Sequence, residues 1–262
     1  MRIALTIAGS DSGGGAGIQA DLKTFQRFGV FGTSAITAIT AQNTTGVSQW
    51  EAVSPDLVRA QIESVAEDLP PAALKSGMLA NAAIASVVAS AIRDHTLANY
   101  VLDPVMVATS GDVLFEPDAI DVIRRELVPQ ALLVTPNVHE AAILVGEAID
   151  DEEGMARAAE LIVRDMGAQA VLIKGGHLAS GDRVVDILYD GNVRAFRTQR
   201  LDARNTHGTG CTLSAAITAQ LATGESLHAA VRRAIDYVHN AIATAPGLGS
   251  GHGPLNHLAE DS

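Results

Sequence analysis

Short apolar runs alternate with longer stretches of three-and-four spacing along almost the whole chain. Ile3 to Ala8 is apolar but for Thr6, the pattern of a strand buried on both faces. A loop from Gly9 to Gly17 follows, then a helix from Ile18 to Phe28 closed by Gly29. Thr33 to Thr40 alternates as a strand, and Asn43-Thr44-Thr45-Gly46 turns it. Ser54-Pro55 opens a helix to Asp68, with serine as N-cap and proline in the first turn. Leu74 to Ser76 is a short strand, and Asn81 caps a helix reaching Asp94. Asn99 to Leu102 is a strand, and a loop with Thr109-Ser110-Gly111-Asp112 leads to a helix near Asp118 to Glu126. Leu132 to Thr135 and Ala170 to Lys174 read as strands, with helices from Asn137 to Val145 and Glu152 to Met166 between them. Val184–Tyr189 and Val193–Thr198 flank Asp190-Gly191-Asn192 as a hairpin. Two further helices follow, one ending at Thr223-Gly224 and one from Ser226 to about Ala243, and then a Gly-rich tail.

Strands alternating with helices predict a mainly parallel sheet, helices on both faces and an antiparallel edge hairpin, in one domain over residues 1–262. Ligands of open α/β sheets sit at the carboxyl ends of the strands. Asp103, Asn137, Lys174 and the first glycine loop all fall there.

Composition narrows the partners. Apolar residues make up 47% and charged ones 18%, a globular balance. A net charge of −12 argues against nucleic acid and anionic membranes, and nine aromatics are too few for a base-stacking platform. The longest mostly apolar stretch, Ala82 to Ile92, is short of the roughly 20 residues that span a bilayer. The single cysteine, Cys211, excludes an intrachain disulfide and fits a reducing, cytoplasmic setting. An acidic protein that handles phosphate must bring local positive charge, and the only lysines are Lys23, Lys75 and Lys174.

One stretch offers such charge: Asn205-Thr206-His207-Gly208-Thr209-Gly210-Cys211-Thr212 runs straight into a helical pattern. Glycines at a helix start leave outward N–H groups, which with the helix dipole form an anion site. The hydroxyls of Thr206, Thr209 and Thr212 would add donors; a capped, Gly-rich turn is the competing structural reading. Lys174, after an apolar strand and before two glycines, suits a phosphate oxygen or is an exposed strand-end lysine. Gly15-Ala16-Gly17-Ile18-Gln19-Ala20 fits a dinucleotide fingerprint, but the next strand ends in Gln42-Asn43 without the carboxylate that holds a ribose. A Walker P-loop is excluded because no Gly-Lys pair exists.

Taken in order, these motifs resemble the hydroxymethylpyrimidine/phosphomethylpyrimidine kinases of thiamin biosynthesis, members of the ribokinase-like superfamily. The resemblance rests on residues 8–23, Thr40-Ala41-Gln42-Asn43-Thr44, Asp103-Pro104-Val105-Met106, Thr135-Pro136-Asn137, Lys174-Gly175-Gly176-His177 and the late Gly-Thr-Gly-Cys stretch. It implies a three-layer α/β/α fold, ATP and Mg²⁺ as cofactors, and a homodimer. The small-molecule substrates would be an aminopyrimidine alcohol and its phosphate. Gly208, Thr209 and Gly210 would form the anion hole, and Lys174, Thr206 and Thr209 would meet ATP phosphates. Ala16 through its backbone, Asp21 near the ring, Gln42 on the amine and ring nitrogen, and Met78 and Val105 as walls would hold the pyrimidine. Asn137-Val138-His139-Glu140 matches the N-x-x-E pattern, so Asp103, Asn137 and Glu140 are the metal set. Plain N-capping by Asn137 is the alternative. Cys211 stands where related enzymes carry an aspartate base. A helix start lowers a thiol pKa, so a thiolate base is conceivable, but the loose transition state leaves pocket shaping open. The rivals are a pyridoxine/pyridoxal kinase and a non-catalytic ligand sensor.

Overall fold

The structure is a computed structural model and describes residues 1–106, 118–176, 178 and 181–260. Its strands are β1 (Ile3–Asp11), β2 (Phe31–Asn43), β3 (Gly46–Ala52), β4 (Ala73–Ser76), β5 (Tyr100–Leu102), β6 (Leu133–Val134), β7 (Val171–Ile173), β8 (Arg183–Tyr189) and β9 (Val193–Gln199). They form one sheet in the order β3-β2-β1-β4-β5-β6-β7-β8-β9. From β2 to β7 neighbours run parallel, whereas β3, β8 and β9 pair antiparallel at the two edges. The predicted late hairpin is β8–β9.

The second antiparallel edge, β3, was not expected. Its residues are half-buried or exposed, and Ser48, Gln49 and Glu51 break up Val47, Trp50 and Ala52. Only pairing with Ala38 to Asn43 of β2 makes that segment a strand. The expected loop Thr109–Asp112, and His177 of the lysine motif, lie outside the described residues.

The helices are α1 (Gly17–Arg27), α2 (Pro55–Asp68), α3 (Ala82–Asp94), α4 (Ala119–Val122), α5 (Val138–Val145), α6 (Glu152–Met166), α7 (Thr209–Thr223) and α8 (Leu227–Ala243). Ser54 and Asn81 cap their helices as expected, and Asp151 and Ser226 likewise accept a first-turn N–H through the side chain.

Successive strand residues feed opposite cores. Leu5, Leu74, Leu102, Val134 and Ile173 join the core with α2, α3, α5 and α6. Ala4, Ala73, Val101, Leu133 and Leu172 join the one with α1, α7 and α8. Both faces are covered, which is why these strands read as continuous apolar runs.

The segment after α8 packs back onto α7 and α8. Leu255, His257 and Ala259 are buried, and Tyr237 Oη donates to the His257 carbonyl at 3.0 Å. Thr212 Oγ1 lies 3.2 Å from His257 Nε2. Burial, aided by the charge of Lys23, pushes the His257 pKa down to about 4 from an ordinary 6.5. The unfolded chain therefore takes up a proton between those pH values while the folded one does not. Stability should be full above about pH 6.5 and fall by on the order of 3 kcal/mol as pH drops to about 4. Urea unfolding across that range should show this component disappear in His257→Gln.

Candidate functional site

The carboxyl ends of the parallel strands open onto a cavity of about 690 Å³. Strand order sets its long axis. Towards β2 it is lined by Ser10, Asp11, Ala16, Gln42, Met78 and Val105; towards β9, by Val184, Thr198, Gln199, Leu201, Val238 and Ile242. Asp103, Asn137, Glu140, Lys174 and residues 206–211 also line it.

Two backbone features join the glycine loop to the start of α7. Gly208 has φ +81°, and a Cβ there would lie 1.9 Å from the Gly15 carbonyl oxygen, so no other residue fits. Gly17, at φ +55°, has the same relation to the Gly9 carbonyl, at 2.3 Å. The Asp11 carboxylate binds this loop: Oδ1 accepts from Gly13 N–H (2.8 Å), and Oδ2 from Gly15 N–H (3.0 Å), Ala16 N–H (2.8 Å) and His207 Nε2 (2.8 Å). Neither Asp11 nor His207 was singled out from the sequence. Only the fold shows that they meet.

At the start of α7, the amides of Gly210 and Cys211 have no intrahelical acceptor. A Cβ on Gly210 would stand 3.1 Å from Lys174 Nζ and 3.8 Å from Asp103 Oδ2. Lys174 Nζ donates to Asp103 Oδ1 at 3.1 Å and sits 3.8 Å from Glu140 Oε2. Gly175 N–H donates to the buried Asp186 Oδ1 at 2.9 Å, holding the turn after Lys174. Burial raises the Glu140 pKa to about 7; the Lys174 charge opposes that rise and the Asp103 charge adds to it.

Several expected roles need correction. The Thr209 hydroxyl donates to the Thr206 carbonyl at 2.7 Å, so its proton is spent inside the protein, and Thr212 faces His257 and does not line the cavity. Asp21 does not line the cavity. It is fully buried between Thr6 Oγ1 (2.6 Å) and Lys75 Nζ (2.9 Å), because strand alternation turns Thr6 and Lys75 towards α1. Asn137 makes the full capping box: its Oδ1 accepts from Glu140 N–H at 2.9 Å, and Glu140 Oε2 accepts from Asn137 N–H at 2.7 Å. The Asn137 side chain is thus a cap, and the oxygen ligands left lining the cavity are the carboxylates of Glu140 and Asp103, the latter also accepting from Ser214 Oγ at 3.2 Å. Cys211 lines the cavity, and burial, opposed by the Lys75 charge and reinforced by those of Asp21 and Asp103, pushes its thiol up to about 12. That direction favours a thiol that shapes the pocket over a thiolate base. The wall formed by Val184, Leu201, Val238 and Ile242 was missed, since apolar residues on or just after an edge hairpin and on a late helix carry no local signal of a ligand.

A helix start facing a lysine across the carboxyl edge of a mainly parallel sheet, with helices on both faces, is the frame of the ribokinase-like kinases. Comparison with known proteins narrows the class. The chain belongs to the phosphomethylpyrimidine kinase family, whose profile matches residues 11–256. It is 53% identical over 260 residues to a hydroxymethylpyrimidine/phosphomethylpyrimidine kinase of Rhizobium meliloti (strain 1021), covering 98% of this chain and 97% of that protein. It is 49% identical to the thiamine biosynthesis bifunctional protein ThiED of Geobacter sulfurreducens, covering 98% of this chain and 53% of that one. Among solved structures, an ADP complex of Bacillus subtilis pyridoxal kinase superposes with a TM-score of 0.91 at 39% identity, covering 99% of this chain and 98% of that one.

Two measurements test the buried chemistry. Lys75→Met strands the Asp21 charge and should cost about 3–5 kcal/mol in urea unfolding, while Asp21→Leu/Lys75→Met should recover most of it. Alkylation of Cys211 by iodoacetamide should keep rising with pH to at least pH 10. A plateau near neutrality would restore the thiolate.

Proposed function

We propose that this protein transfers the γ-phosphoryl group of ATP to the hydroxymethyl group of 4-amino-5-hydroxymethyl-2-methylpyrimidine. A second transfer to the resulting monophosphate would give the diphosphate used in thiamin biosynthesis. The observation that carries this reading is the approach of the α7 start to Lys174, 3.1 Å from a Cβ placed on Gly210. Backbone amides and an ammonium converge there on one point, in a protein whose net charge is −12.

The chemistry asks for little else. Phosphoryl transfer passes through a loose transition state, so positioning and charge neutralisation outweigh a strong base. A protonated Cys211 suits that demand, and its role is to shape the pocket. Gln42, Met78, Val105 and the Ala16 backbone hold the pyrimidine, and the apolar wall towards β9 takes the adenine. Asp21 supports that floor through Lys75 rather than touching the ring.

The residues fit a Mg²⁺ ion. Two buried carboxylates share one lysine, which leaves a net negative charge of hard oxygen donors. Among the described residues no group of three or more His, Cys, Asp or Glu side chains could hold a metal alone. An ion completed by phosphates and water needs only one or two carboxylates, which Asp103 and Glu140 supply. Bound Mg²⁺ would neutralise phosphate charge.

Family membership supports a homodimer and a cytoplasmic setting, and the unbroken sheet supports one domain over residues 1–262. Among the described residues no helix is long and apolar enough to cross a membrane. A second substrate, a pyridoxine-like alcohol, is kept open by the close match in frame to a pyridoxal kinase.

ADP release with Mg²⁺-ATP should require the aminopyrimidine alcohol and continue with its monophosphate; release with neither alcohol would leave only the sensor reading. Gly208→Ala should lower kcat by about 10²–10³-fold, the usual loss when one anion-hole donor is displaced, with the circular dichroism spectrum retained.

A further inference from the structure

At the end of the cavity towards β2, the Gln42 amide offers a donor and an acceptor side by side that could read a ring edge, and its neighbours decide which way round it reads. Its backbone is pinned: Ser12 Oγ donates to the Gln42 carbonyl at 2.8 Å, and Gln42 N–H donates to Ser12 Oγ at 2.7 Å. Its amide lies between Thr40 Oγ1, 3.1 Å from Oε1, and His207 Nε2, 3.4 Å from Nε2.

Both neighbours are already committed. A hydroxyl has one proton, and the Thr40 proton has a nearer acceptor in the Ser10 carbonyl at 2.9 Å. A carboxylate only accepts, so His207 Nε2, at 2.8 Å from Asp11 Oδ2, must carry a proton. An amide NH₂ turned towards that N–H, and an amide oxygen turned towards a hydroxyl without a spare proton, mismatch at both ends. Amide oxygen and nitrogen can be exchanged by a half-turn with no shift of heavy-atom positions. After the exchange Nε2 donates to Thr40 Oγ1, and Oε1 accepts a share of the His207 Nε2 proton.

We propose that Thr40 and His207 are positioning residues that lock the Gln42 amide in this orientation and thereby set the enzyme's choice of ring. The inference rests on the aminopyrimidine reading above. Locked in this way, the amide keeps one N–H and one oxygen lone pair for a ligand, in one fixed order. An exocyclic amine beside an unprotonated ring nitrogen matches that order and satisfies both groups. A hydroxypyridine whose hydroxyl is flanked by carbon substituents leaves one of them unpaired. Sites built around such hydrogen bonds reject ligands that lack them.

The test compares kcat/KM for 4-amino-5-hydroxymethyl-2-methylpyrimidine and for pyridoxine in the unaltered protein and three variants. His207→Leu and Thr40→Val should each lower the aminopyrimidine-to-pyridoxine ratio by about tenfold, the size of one lost hydrogen bond, mainly through KM for the aminopyrimidine. His207→Gln should keep the ratio near its original value, because its NH₂ can donate to both Asp11 and Gln42. Any damage to the neighbouring anion hole affects both alcohols and cancels in the ratio. Unchanged ratios in His207→Leu and Thr40→Val, with the native preference intact, would overturn the lock and leave the kinase reading standing. Should the unaltered protein phosphorylate neither alcohol, that reading fails, and the lock is then judged by ¹⁵N NMR alone. His207 should show a protonated Nε2; an unprotonated one overturns the proposal whatever the kinetics.

Discussion

The carboxylate of Asp11 holds together two parts of the chain 196 residues apart. It receives three backbone N–H groups from the glycine loop and the His207 ring from the start of α7. Burial alone would raise its pKa, but His207 and the amides of Ala16 and Gly13 outweigh that and hold it below the usual carboxylate value. An ionised acid with its acceptor sites filled is a rigid knot. The close approach of Gly208 to the Gly15 carbonyl follows from it, and so does the cavity between loop and helix.

Around that knot the protein assembles positive charge with few cations. Lys23 closes the glycine loop by donating to the Gly14 carbonyl at 2.7 Å. Lys75 lies beneath, where burial opposes its charge but the neighbouring carboxylates of Asp21 and Asp103 favour it, and its pKa is raised. Lys174 faces the cavity between Asp103 and Glu140. The amides at the start of α7 add charge without a side chain, which suits a site for phosphates. The same economy explains a protonated Cys211. In so desolvated a place, among carboxylates, a thiolate would be costlier than the weak base assistance it could give.

The segment after α8 belongs to this design. His207 N–H donates to the Gly253 carbonyl at 3.2 Å, and Pro254 packs beside Gly15. His257 meets Thr212 in the first turn of α7. The histidine that touches both Asp11 and Gln42 is therefore braced from behind by residues near the far end of the chain.

Apolar periodicity and capping residues were enough to find most of the parallel strands and the main helices, because a strand covered on both faces and a capped amphipathic helix each leave a local imprint. The Gly-Thr-Gly-Cys stretch, Asp103 and Lys174 were legible for the same reason, each lying at a recognisable strand end or helix start. The β3 edge was not, since its half-exposed residues acquire strand geometry only by pairing with β2. Nor could the chain order alone show that Asp21 is committed to Lys75, that burial raises the Cys211 thiol, or that Asp11 and His207 meet. Those outcomes depend on which groups are desolvated together and which donors reach which acceptors, and three-dimensional packing alone decides that.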